Sequence, residues 1–597
     1  MARVRRILRA GPVLLLLAAA WPAAAEKQVS TGRGGAVAAE DEIATRVGIE
    51  ILKKGGNAAD AAVAVAFAMA VTWPEAGNIG GGGFWISRDS KGKVLAVDFR
   101  EVAPRAARQD LFVKARPNGK VPSSTEGPLA SGVPGSVAGL SLAHRRAGHL
   151  PWKTLVNPAV RLARDGFVVT ETFSESIANN KDRLAKSPET AHIFLPNGAP
   201  PVPGSVLKQP DLAKTLEAIR DHRDDGFYRG RVARAIEAAH EQEGGLITRG
   251  DLARYEAKVR TALKFTFRNA ELWTLPAPSG GPVLAEMAML TEYVGADKLK
   301  PRDASSAHLL AEIEKRAFRD RNKYLGDPAF ARVRQDLLTD PERLKEIAAT
   351  IDPSRATPSA ALPLPEKEKP STTHFSVMDD AGGAVAITTT LNDSFGNARV
   401  AHSLGFLWNN EMDDFATKPG QPNLYGLIQG ETNEVAPGKR MLSAMCPVIA
   451  VLNGRNAFVW GTPGGSTIPT TNFQVMLGIL LRGESLADAV AAPRFHQQDF
   501  PDKIQLERER FDPAFVGALE KLGHTVVERE PKDNPIGRVH AIARSNSGTL
   551  TAVADPRRGG AGLVVEPAPP PPPPPAPAPA ATPPPAATPT AAPVPTK

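Results

Sequence analysis

The junction at Thr372 constrains the fold more than any other stretch of the sequence. The segment 352–371 before it is rich in proline and polar residues and has no apolar periodicity, so an exposed loop is expected there. From Thr373 onward the residues alternate, and the Asp/Gly run 379–383 separates them from the β-branched run 384–390. Two strand-forming runs around such a turn predict a β-hairpin. Thr372 therefore stands where an exposed linker meets a buried strand.

A threonine in this position is suited to self-cleavage. If the peptide bond before Thr372 breaks, the residue gains a free α-amine beside its own hydroxyl. An α-amino group has a reference pKa of about 7.7–8.0, so a fraction of it is neutral near pH 7 and can act as a base. One residue then supplies both the nucleophile and the base. On these residues alone, an ordinary β-branched strand start remains the alternative.

Further motifs accompany this junction, in order and without large gaps, between about residues 30 and 562. They are Asn78-Ile79-Gly80-Gly81-Gly82-Gly83-Phe84, Asp98-Phe99-Arg100-Glu101, Thr372-Thr373-His374-Phe375-Ser376, Thr390-Leu391-Asn392, Asn409-Asn410-Glu411-Met412-Asp413-Asp414-Phe415, Gly461-Thr462-Pro463-Gly464-Gly465-Ser466, Pro493-Arg494-Phe495-His496 and Asp555-Pro556-Arg557. Together they resemble the γ-glutamyltranspeptidase family. The resemblance implies an α/β fold, the four-layer α/β/β/α sandwich of the N-terminal nucleophile hydrolases, formed by two subunits after autocleavage at Ser371–Thr372.

The resemblance divides the chain into a large subunit, 26–371, and a small catalytic subunit, 372–566. Before them, residues 1–25 combine arginines, an apolar run and an Ala-x-Ala end, which is typical of a secretory signal peptide. A retained membrane anchor is the alternative. The tail 567–597 is almost wholly Pro, Ala and Thr, so it cannot form a core and is expected to be extended or disordered. The signal predicts a periplasmic or secreted protein.

Charge and composition exclude several classes of function. Removing residues 1–25 takes away four arginines and no acids, so the formal net charge falls from +8 to +4. No Lys/Arg block with interleaved aromatic residues is present, so no nucleic acid partner is expected. No later apolar run reaches about 18 residues, so no membrane association is expected after signal removal. The histidines form no paired metal-binding motif and the single cysteine, Cys446, is interpreted as structural, so neither a metal nor a cofactor is expected.

Hydrophobic periodicity and turn residues predict the order of the elements. Helices are expected over 38–54, 58–71, 135–146, 152–164, 211–222, 231–241, 282–293, 304–324 and 466–481. Strands are expected over 84–88, 94–100, 263–267, 271–275, 448–452 and 457–461, and near 526 and 549. Strands with helices on both sides suit two stacked sheets covered by helices. The glycine-rich run 77–83 lacks the lysine of a phosphate loop, so close backbone packing is expected there.

The resemblance also implies the catalytic residues. Thr372 is the implied nucleophile, Thr390 its hydrogen-bonding partner, and Gly464 and Gly465 the oxyanion hole. The glycine pair lies at a predicted strand-to-helix junction, where backbone N–H groups and the helix dipole favour negative charge.

A γ-glutamyl donor carries an α-carboxylate and an α-ammonium, so its recognition needs opposite charges a few ångströms apart. The resemblance implies that Arg100 and Ser443 bind the carboxylate. A guanidinium suits this role because it pairs with a carboxylate through two hydrogen bonds. Asn392, Glu411 and Asp414 are the implied ligands of the α-amino group.

Further features bear on the same site. Bacterial members commonly carry two serines where this chain has Ser443-Ala444, and a hydrogen bond to a charged group is worth roughly 1.5–3 kcal/mol. A weaker or altered donor preference is therefore expected. The segment 418–427 resembles the lid that some members have over the γ-glutamyl pocket, with Tyr425 as an aromatic cover. No acid–base role is expected for His374 or His496.

The expected function is that of a γ-glutamyltransferase or hydrolase. The chain is expected to cleave the γ-glutamyl amide of glutathione and related donors through an ester on Thr372, and to transfer the group to water or to an amino acid or peptide amine. The two subunits are expected to pair with each other after cleavage. One alternative is a glutaryl or cephalosporin-type acylase of the same fold, which the presence of Glu411 and Asp414 disfavours. The other is an uncleaved, inactive secreted binding protein, which the intact nucleophile and glycine pair disfavour.

Overall fold

The structure is a computed structural model, and it describes residues 28–117, 119–359, 371–418, 420–530 and 534–567. The expected signal peptide, 1–25, and most of the proline-rich run before Thr372 lie outside the described residues, as does the tail from 568 onward. Pro567, expected as the first residue of the tail, instead ends the last strand. In the described part of the chain, no helix is long and apolar enough to cross a membrane.

Most strands form one continuous antiparallel arrangement that has two halves. In chain order the strands are β1 Val29–Ala39, β2 Gly82–Arg88, β3 Val94–Asp98, β4 Phe167–Val168, β5 Val206–Leu207, β6 Lys258–Arg260, β7 Leu263–Phe267, β8 Ala270–Thr274, β9 Ser371–Asp379, β10 Ala384–Asn392, β11 Val448–Leu452, β12 Arg455–Gly461, β13 Phe495–His496, β14 Ile504–Glu507, β15 Val526–Arg529, β16 His540–Arg544, β17 Leu550–Ala554 and β18 Ala561–Pro567. The first half has the order β6–β3–β2–β10–β9–β1, with β18 also paired to β1, and the second has the order β17–β16–β12–β11–β8–β7. The remaining strands form two small sheets, β13–β14–β15 and β4–β5.

The long strand β1 joins the two halves. Its residues 29–32 pair with β17, whereas residues 35–39 pair with β9. Gly34 and Gly35, between these two stretches, have φ angles of +79° and +120°. Glycine adopts such angles without the steric penalty of a side chain, which allows the strand to leave one half and enter the other.

β1 also corrects an expectation from the sequence. A helix was predicted from residue 38, but the strand continues to Ala39 and the helix begins at Glu42. The alanine-rich stretch is compatible with either periodicity, and the glycines before it concealed the strand signal. Asp41 is the helix N-cap, and its side chain accepts a hydrogen bond from the backbone N–H of Ala44 at 2.8 Å.

Helices cover the outer faces of both halves. In chain order they are α1 Glu42–Lys53, α2 Ala58–Thr72, α3 Ser136–Ala147, α4 Trp152–Asp165, α5 Glu171–Asn179, α6 Lys181–Leu184, α7 Pro188–Phe194, α8 Pro210–His222, α9 Asp225–Tyr228, α10 Gly230–Glu243, α11 Arg249–Arg254, α12 Gly281–Val294, α13 Ala304–Tyr324, α14 Pro341–Ala349, α15 Thr467–Met476, α16 Leu486–Ala491 and α17 Pro513–Lys521. The helix expected over 466–481 is α15, which continues as a π-helix over Leu477–Leu481. The strand expected over 94–100 ends at Asp98, so Arg100 lies in the loop that follows it.

In the described part of the chain, the three largest apolar cores lie between four layers, and the alternate residues of β1 belong to two of these cores. Val37 and Ala39 belong to the core beneath α1 to α11, whereas Ala36 and Ala38 belong to the core between the two halves of the sheet. A third core lies between the second half and the helices α12, α13 and α15. The fold is therefore the α/β/β/α sandwich that was expected. Cys446 lies in the middle core, where burial raises the pKa of its thiol to about 12.

The expected hairpin is formed by β9 and β10. Thr372 lies directly opposite Thr390 in its register. At the turn, the Asp379 side chain accepts a hydrogen bond from the backbone N–H of Gly383 at 2.7 Å. The turn thereby fixes which residues of the two strands face each other. Because β9 and β10 are central in the first half, the threonine pair lies inside the molecule and not at a sheet edge.

Candidate active site

A narrow cavity beside the first residues of β9 brings together residues from distant parts of the chain. Its lining includes most of the residues implied by the sequence, namely Arg100, Thr372, Thr390, Asn392, Glu411, Asp414, Ser443 and Gly465. Gly464 directly precedes Gly465. The other lining residues are Arg321, Tyr425, Leu427, Ala444, Met445, Ser466 and Ile468.

The Thr372 side chain is held against β10. Its hydroxyl donates to Thr390 Oγ1 at 3.4 Å, and the same oxygen accepts the backbone N–H of Asn392 at 2.7 Å. Thr372 is only 3% exposed and Thr390 only 2% exposed, so bulk water has little access to the pair. In the continuous chain the Thr372 nitrogen is part of the peptide bond to Ser371, so a free α-amine exists only after cleavage there.

The glycine-rich run 77–83 supports Thr390 from behind. Asn78 Nδ2 donates to the Thr390 carbonyl at 2.9 Å, and Asn78 Oδ1 accepts the backbone N–H of Gly81 at 3.0 Å. A Cβ atom on Gly81 would lie 2.0 Å from the Thr390 carbonyl oxygen. Only glycine therefore permits this close approach, and the close backbone packing expected from the sequence is confirmed.

Gly464 and Gly465 form the turn between β12 and α15. Their φ angles are +139° and +57°, and the Gly464 carbonyl accepts the N–H of Thr467 at 3.1 Å. Within the described residues, neither glycine N–H has a protein acceptor. Gly465 lines the cavity that contains Thr372. Two free N–H groups at the start of a helix are suited to stabilising an oxyanion.

Arg100 lies at the centre of a buried charge cluster. Its terminal nitrogens donate to Glu411 and Asp414, and its Nε donates to the Met441 carbonyl at 3.3 Å. Burial lowers the pKa of Arg100, but the neighbouring carboxylates outweigh it and raise the pKa above its ordinary value. The residues implied to bind opposite ends of a donor therefore bind each other here.

The carboxylates around Arg100 are strongly desolvated. Burial raises the pKa of Glu411 well above its ordinary value and also raises the pKa of Asp414, although Arg100 opposes both shifts. Glu101 Oε2 lies 3.6 Å from a terminal nitrogen of Arg100, and burial raises the pKa of Glu101 to about 7. Such buried acids gain from a further cation, which would compensate their desolvation.

The loop that was expected to act as a lid is bonded to the site through Tyr425. Its hydroxyl lies 2.7 Å from both the backbone carbonyl and the side-chain carbonyl of Asn392, to which it donates. Gln498 Nε2 donates to the Tyr425 carbonyl at 2.8 Å, and the Asn423 side chain accepts the N–H of Tyr425 at 3.0 Å. Because Asn392 also donates to Thr390, the loop is connected to the threonine pair through two hydrogen bonds.

The segment that carries Ser443 and Ala444 is fixed by a turn before α12. The Ser443 N–H donates to the Pro278 carbonyl at 2.8 Å, and the Gly280 N–H donates to the Met445 carbonyl at 2.9 Å. A Cβ atom on Gly280 would lie 2.3 Å from the Ala444 carbonyl oxygen, so this position also requires glycine. Ser443 and Ala444 both line the cavity, and of the two only Ser443 has a hydroxyl, which accepts the N–H of Met445 at 3.1 Å.

Arg321 is a lining residue that the sequence analysis missed. It lies on α13, is 1% exposed, and donates from Nη1 to the Asn322 side chain at 2.9 Å. Its Nε has no acceptor among the described residues, and burial lowers its pKa to about 10. A signal was nevertheless available in the sequence, because Arg321 follows Phe318 by three residues and Ala317 by four. Residues at these spacings share one face of a helix, so the arginine was to be expected on the apolar side of α13.

Neither histidine that was left out of the site lies in the cavity lining. The His374 ring bonds to Thr388 Oγ1 at 2.9 Å and to Ser376 Oγ at 3.0 Å inside the sheet. The His496 ring bonds to Thr470 Oγ1 at 2.9 Å. In the described part of the chain, no histidine or cysteine lines this cavity.

Comparison with known proteins gives a consistent result over nearly the whole chain. The profile of the gamma-glutamyltranspeptidase family matches residues 44–565. The chain is 42% identical over 528 residues to the glutathione hydrolase proenzyme of Escherichia coli K12, covering 88% of this chain and 90% of that protein. It is 43% identical over 542 residues to the protein of the same name from Pseudomonas aeruginosa, covering 89% and 95%.

Among solved structures, the cephalosporin acylase from Bacillus halodurans superposes on the molecule with a TM-score of 0.80. The sequence identity is 25%, and the alignment covers 91% of this chain and 98% of that protein.

Proposed function

The chain belongs to the γ-glutamyltranspeptidase family, and we propose that it is a γ-glutamyltransferase and hydrolase acting on glutathione and related γ-glutamyl compounds. The observation that carries the proposal is the Arg100–Glu411–Asp414 cluster in the same cavity as Thr372. This arrangement offers charges for both ends of a zwitterionic γ-glutamyl group beside a hydroxyl nucleophile. We further propose that residues 1–25 direct the protein to the periplasm or the exterior.

Maturation is the first step of the proposed mechanism. The Thr372 hydroxyl attacks the Ser371 carbonyl, the amide bond between Ser371 and Thr372 breaks, and the hydroxyl proton passes to the Thr372 nitrogen. Water then hydrolyses the resulting ester, which gives a carboxylate on Ser371, restores the Thr372 hydroxyl and separates the segments 26–371 and 372–597. The new α-amine of Thr372 then serves as the base for its own hydroxyl. Thr390 supports this geometry, because its Oγ1 lies 3.4 Å from Thr372 Oγ1 and is itself fixed by Asn392.

Donor binding exchanges partners within the charge cluster. The α-carboxylate of the donor takes a place at Arg100 and Ser443, while the α-ammonium takes one at Asn392, Glu411 and Asp414. The γ-carbonyl then lies near Thr372, and its oxygen points to the N–H groups of Gly464 and Gly465. Attack by Thr372 Oγ1 gives a γ-glutamyl ester and releases the amine of the donor.

The γ-glutamyl ester is resolved by water or by an acceptor amine. The α-amine of Thr372 removes a proton from either nucleophile, and the acyl group leaves as glutamate or as a new γ-glutamyl amide. Tyr425 covers the cavity through its bonds to Asn392, which limits the entry of bulk water. Transfer to dipeptides such as glycylglycine is therefore expected at high acceptor concentration.

A cephalosporin or glutaryl acylase is the second candidate, because a protein of that name has the same fold. A glutaryl group has no α-ammonium, so its binding would leave Glu411 and Asp414 without a cationic partner from the substrate. An unpaired buried carboxylate is costly, which favours the γ-glutamyl donor. The intact Thr372, Thr390 and glycine pair likewise favours an enzyme over an inactive binding protein.

The proposal is tested with Thr372→Ala and the matched Thr372→Ser variant. Wild type is expected to give two fragments on a denaturing gel, with Thr372 as the first residue of the smaller one, and to release glutamate from glutathione. Thr372→Ser keeps a hydroxyl and is expected to retain cleavage and some turnover. Thr372→Ala is expected to stay a single chain without turnover, and its efficient cleavage between residues 371 and 372 would refute the self-processing mechanism.

A further inference from the structure

A second cluster of ligand-type side chains lies away from the active site, between α13 and the segment after α17. It consists of His308 and Glu312, one turn apart on α13, and of His524, which precedes β15. All three are buried, and a ligand atom of each lies within 4.8 Å of the other two. His308 Nδ1 and His524 Nε2 are 2.7 Å apart. The enzymatic mechanism uses none of these residues.

The hydrogen bonds around His308 leave one ring nitrogen facing the cluster. Its Nε2 lies 2.8 Å from the Asp352 carbonyl, which is an acceptor only, so Nε2 carries the proton. Nδ1 therefore has its lone pair directed at His524. Without a metal ion, Nδ1 accepts a hydrogen bond from His524 Nε2. A histidine that donates one ring N–H to a backbone carbonyl is held in the tautomer whose other nitrogen can bind a metal, and His524 Nε2 becomes a ligand when its proton is released or moves to Nδ1 of its own ring.

Glu312 completes the cluster with a carboxylate. It accepts from the Thr357 N–H at 3.1 Å and from Arg316 Nη1 at 2.6 Å, which orients it and leaves lone pairs for a metal. Lys315 Nζ lies 3.8 Å from Glu312 Oε1, and this cation and the nearer Arg316 both lower the affinity for a further positive charge. Two imidazoles and one carboxylate nevertheless form a ligand set that zinc prefers.

We propose that His308, Glu312 and His524 bind one zinc ion. In a tetrahedral site with Zn–N distances of about 2.0–2.1 Å, two nitrogen ligands stand about 3.4 Å apart. The two rings therefore need to separate by a fraction of an ångström, which side-chain rotation provides. A water molecule or the second oxygen of Glu312 supplies the fourth ligand.

The position of the site suggests what the ion does. His308 and Glu312 precede Thr372 in the chain and His524 follows it, so a metal joins the two sides of the proposed cleavage point. Residues shortly before the cleavage point also contact the cluster, since Asp352 bonds to His308 and Thr357 bonds to Glu312. The ion thus holds the end of the large subunit on the small subunit, a consequence that rests on the proposed cleavage.

The first experiment measures zinc in the untagged protein without relying on catalysis. The variants are the double variant His308→Gln/His524→Gln, the exposed-histidine control His222→Gln, and Thr372→Ala. After loading with zinc and dialysis, we expect one zinc per chain in wild type, His222→Gln and Thr372→Ala, measured by elemental analysis. We expect less than a tenth of a zinc per chain in the double variant. Equal zinc content in the wild type and the folded double variant would overturn the proposal.

A second measurement uses the wild type alone and so does not depend on folding of the double variant. Zinc affinity is determined by competition with a chromogenic chelator, and a single site that competes with the chelator is expected. Absence of any such site in wild type would overturn the proposal. Subunit dissociation of the cleaved protein in urea is then compared with and without zinc. A higher urea midpoint with zinc supports the role across the subunits, whereas an unchanged midpoint in zinc-loaded protein would refute that role and leave the enzymatic function unaffected.

Discussion

The charge cluster predicts a selective effect of Asp414→Asn on donors that carry an α-ammonium. Asparagine keeps the shape and one carbonyl oxygen of the side chain but removes its charge. Asp414 is 8% exposed and bonds to Arg100, so its charge acts at short range with little screening by water. We therefore expect the variant to bind the ammonium of the transition state less tightly than wild type.

The magnitude follows from what remains in the cavity. Truncating one partner of a buried, hydrogen-bonded charge pair costs roughly 2–5 kcal/mol. Glu411 stays beside Arg100 as a second carboxylate, so the lower part of this range applies, about 2–3 kcal/mol. At about 1.36 kcal/mol for each factor of ten, kcat/KM should fall roughly 30- to 160-fold.

The assay compares two anilides that differ only in the α-amine, γ-glutamyl-p-nitroanilide and glutaryl-p-nitroanilide. The loss is expected for the first substrate, while the second should be hydrolysed no worse, because it has no ammonium to lose contact with. Asp413→Asn is the matched control, since that acid bonds to Ser124 and to the Leu424 N–H and does not line the cavity. Equal losses on both anilides in a fully cleaved Asp414→Asn protein would refute the assignment of Asp414.

Three further predictions concern the lining of the same cavity. Tyr425→Phe removes the hydroxyl that bonds to Asn392 and should let more water reach the γ-glutamyl ester. The ratio of transfer to hydrolysis, measured with glycylglycine as acceptor, should therefore fall. An unchanged ratio would show that the loop does not control which acceptor reacts. Ala444→Ser adds a hydroxyl beside the proposed carboxylate site and should lower KM for γ-glutamyl-p-nitroanilide roughly tenfold. A KM at or above the wild-type value would contradict the role given to this position. Arg321→Gln removes a buried cation from the lining and should raise KM for the same donor at least about tenfold, with little change in kcat. The control Lys323→Gln changes an exposed residue of the same helix and should match wild type. Equal KM values for the two variants would exclude Arg321 from donor binding.

The parts of the fold that were predictable are those in which local signals agree. The hairpin of β9 and β10 combines alternating residues with a turn that permits only a narrow range of geometries, so the hairpin followed from local sequence. The pairing of Thr390 with Thr372 was instead implied by the family resemblance, and the register places the two residues opposite each other. The helix α2 was predictable for a similar reason, since its Ala and Val residues are apolar on every side and all are buried. In both cases tertiary packing reinforces what the sequence prefers locally.

The parts that were missed depend on contacts between distant residues. β1 carries glycines that weaken a strand locally, and it is stabilised by pairing with β9, β17 and β18, which lie more than 300 residues further along the chain. Arg321 was missed because its site is defined by Asp414 and Tyr425, neither of which is near in sequence. The His308–His524 contact joins residues 216 positions apart, beyond the reach of any spacing motif.

The balance of charge in the cavity gives a reason for its selectivity that goes beyond single contacts. Arg100 and Arg321 stand against Glu411 and Asp414, so the formal charges of these four groups cancel. Glu101 is an additional acid beside Arg100, and burial raises its pKa to about 7. A zwitterionic γ-glutamyl group adds no net charge and only exchanges one set of ion pairs for another. A glutaryl group adds a negative charge to a buried site that already contains three acids, and this costs free energy whichever group is protonated in response. We therefore expect selectivity for the γ-glutamyl donor from this cancellation of formal charges, and we expect removal of the charge of Asp414 to change the preference between the two anilides and not only the rate.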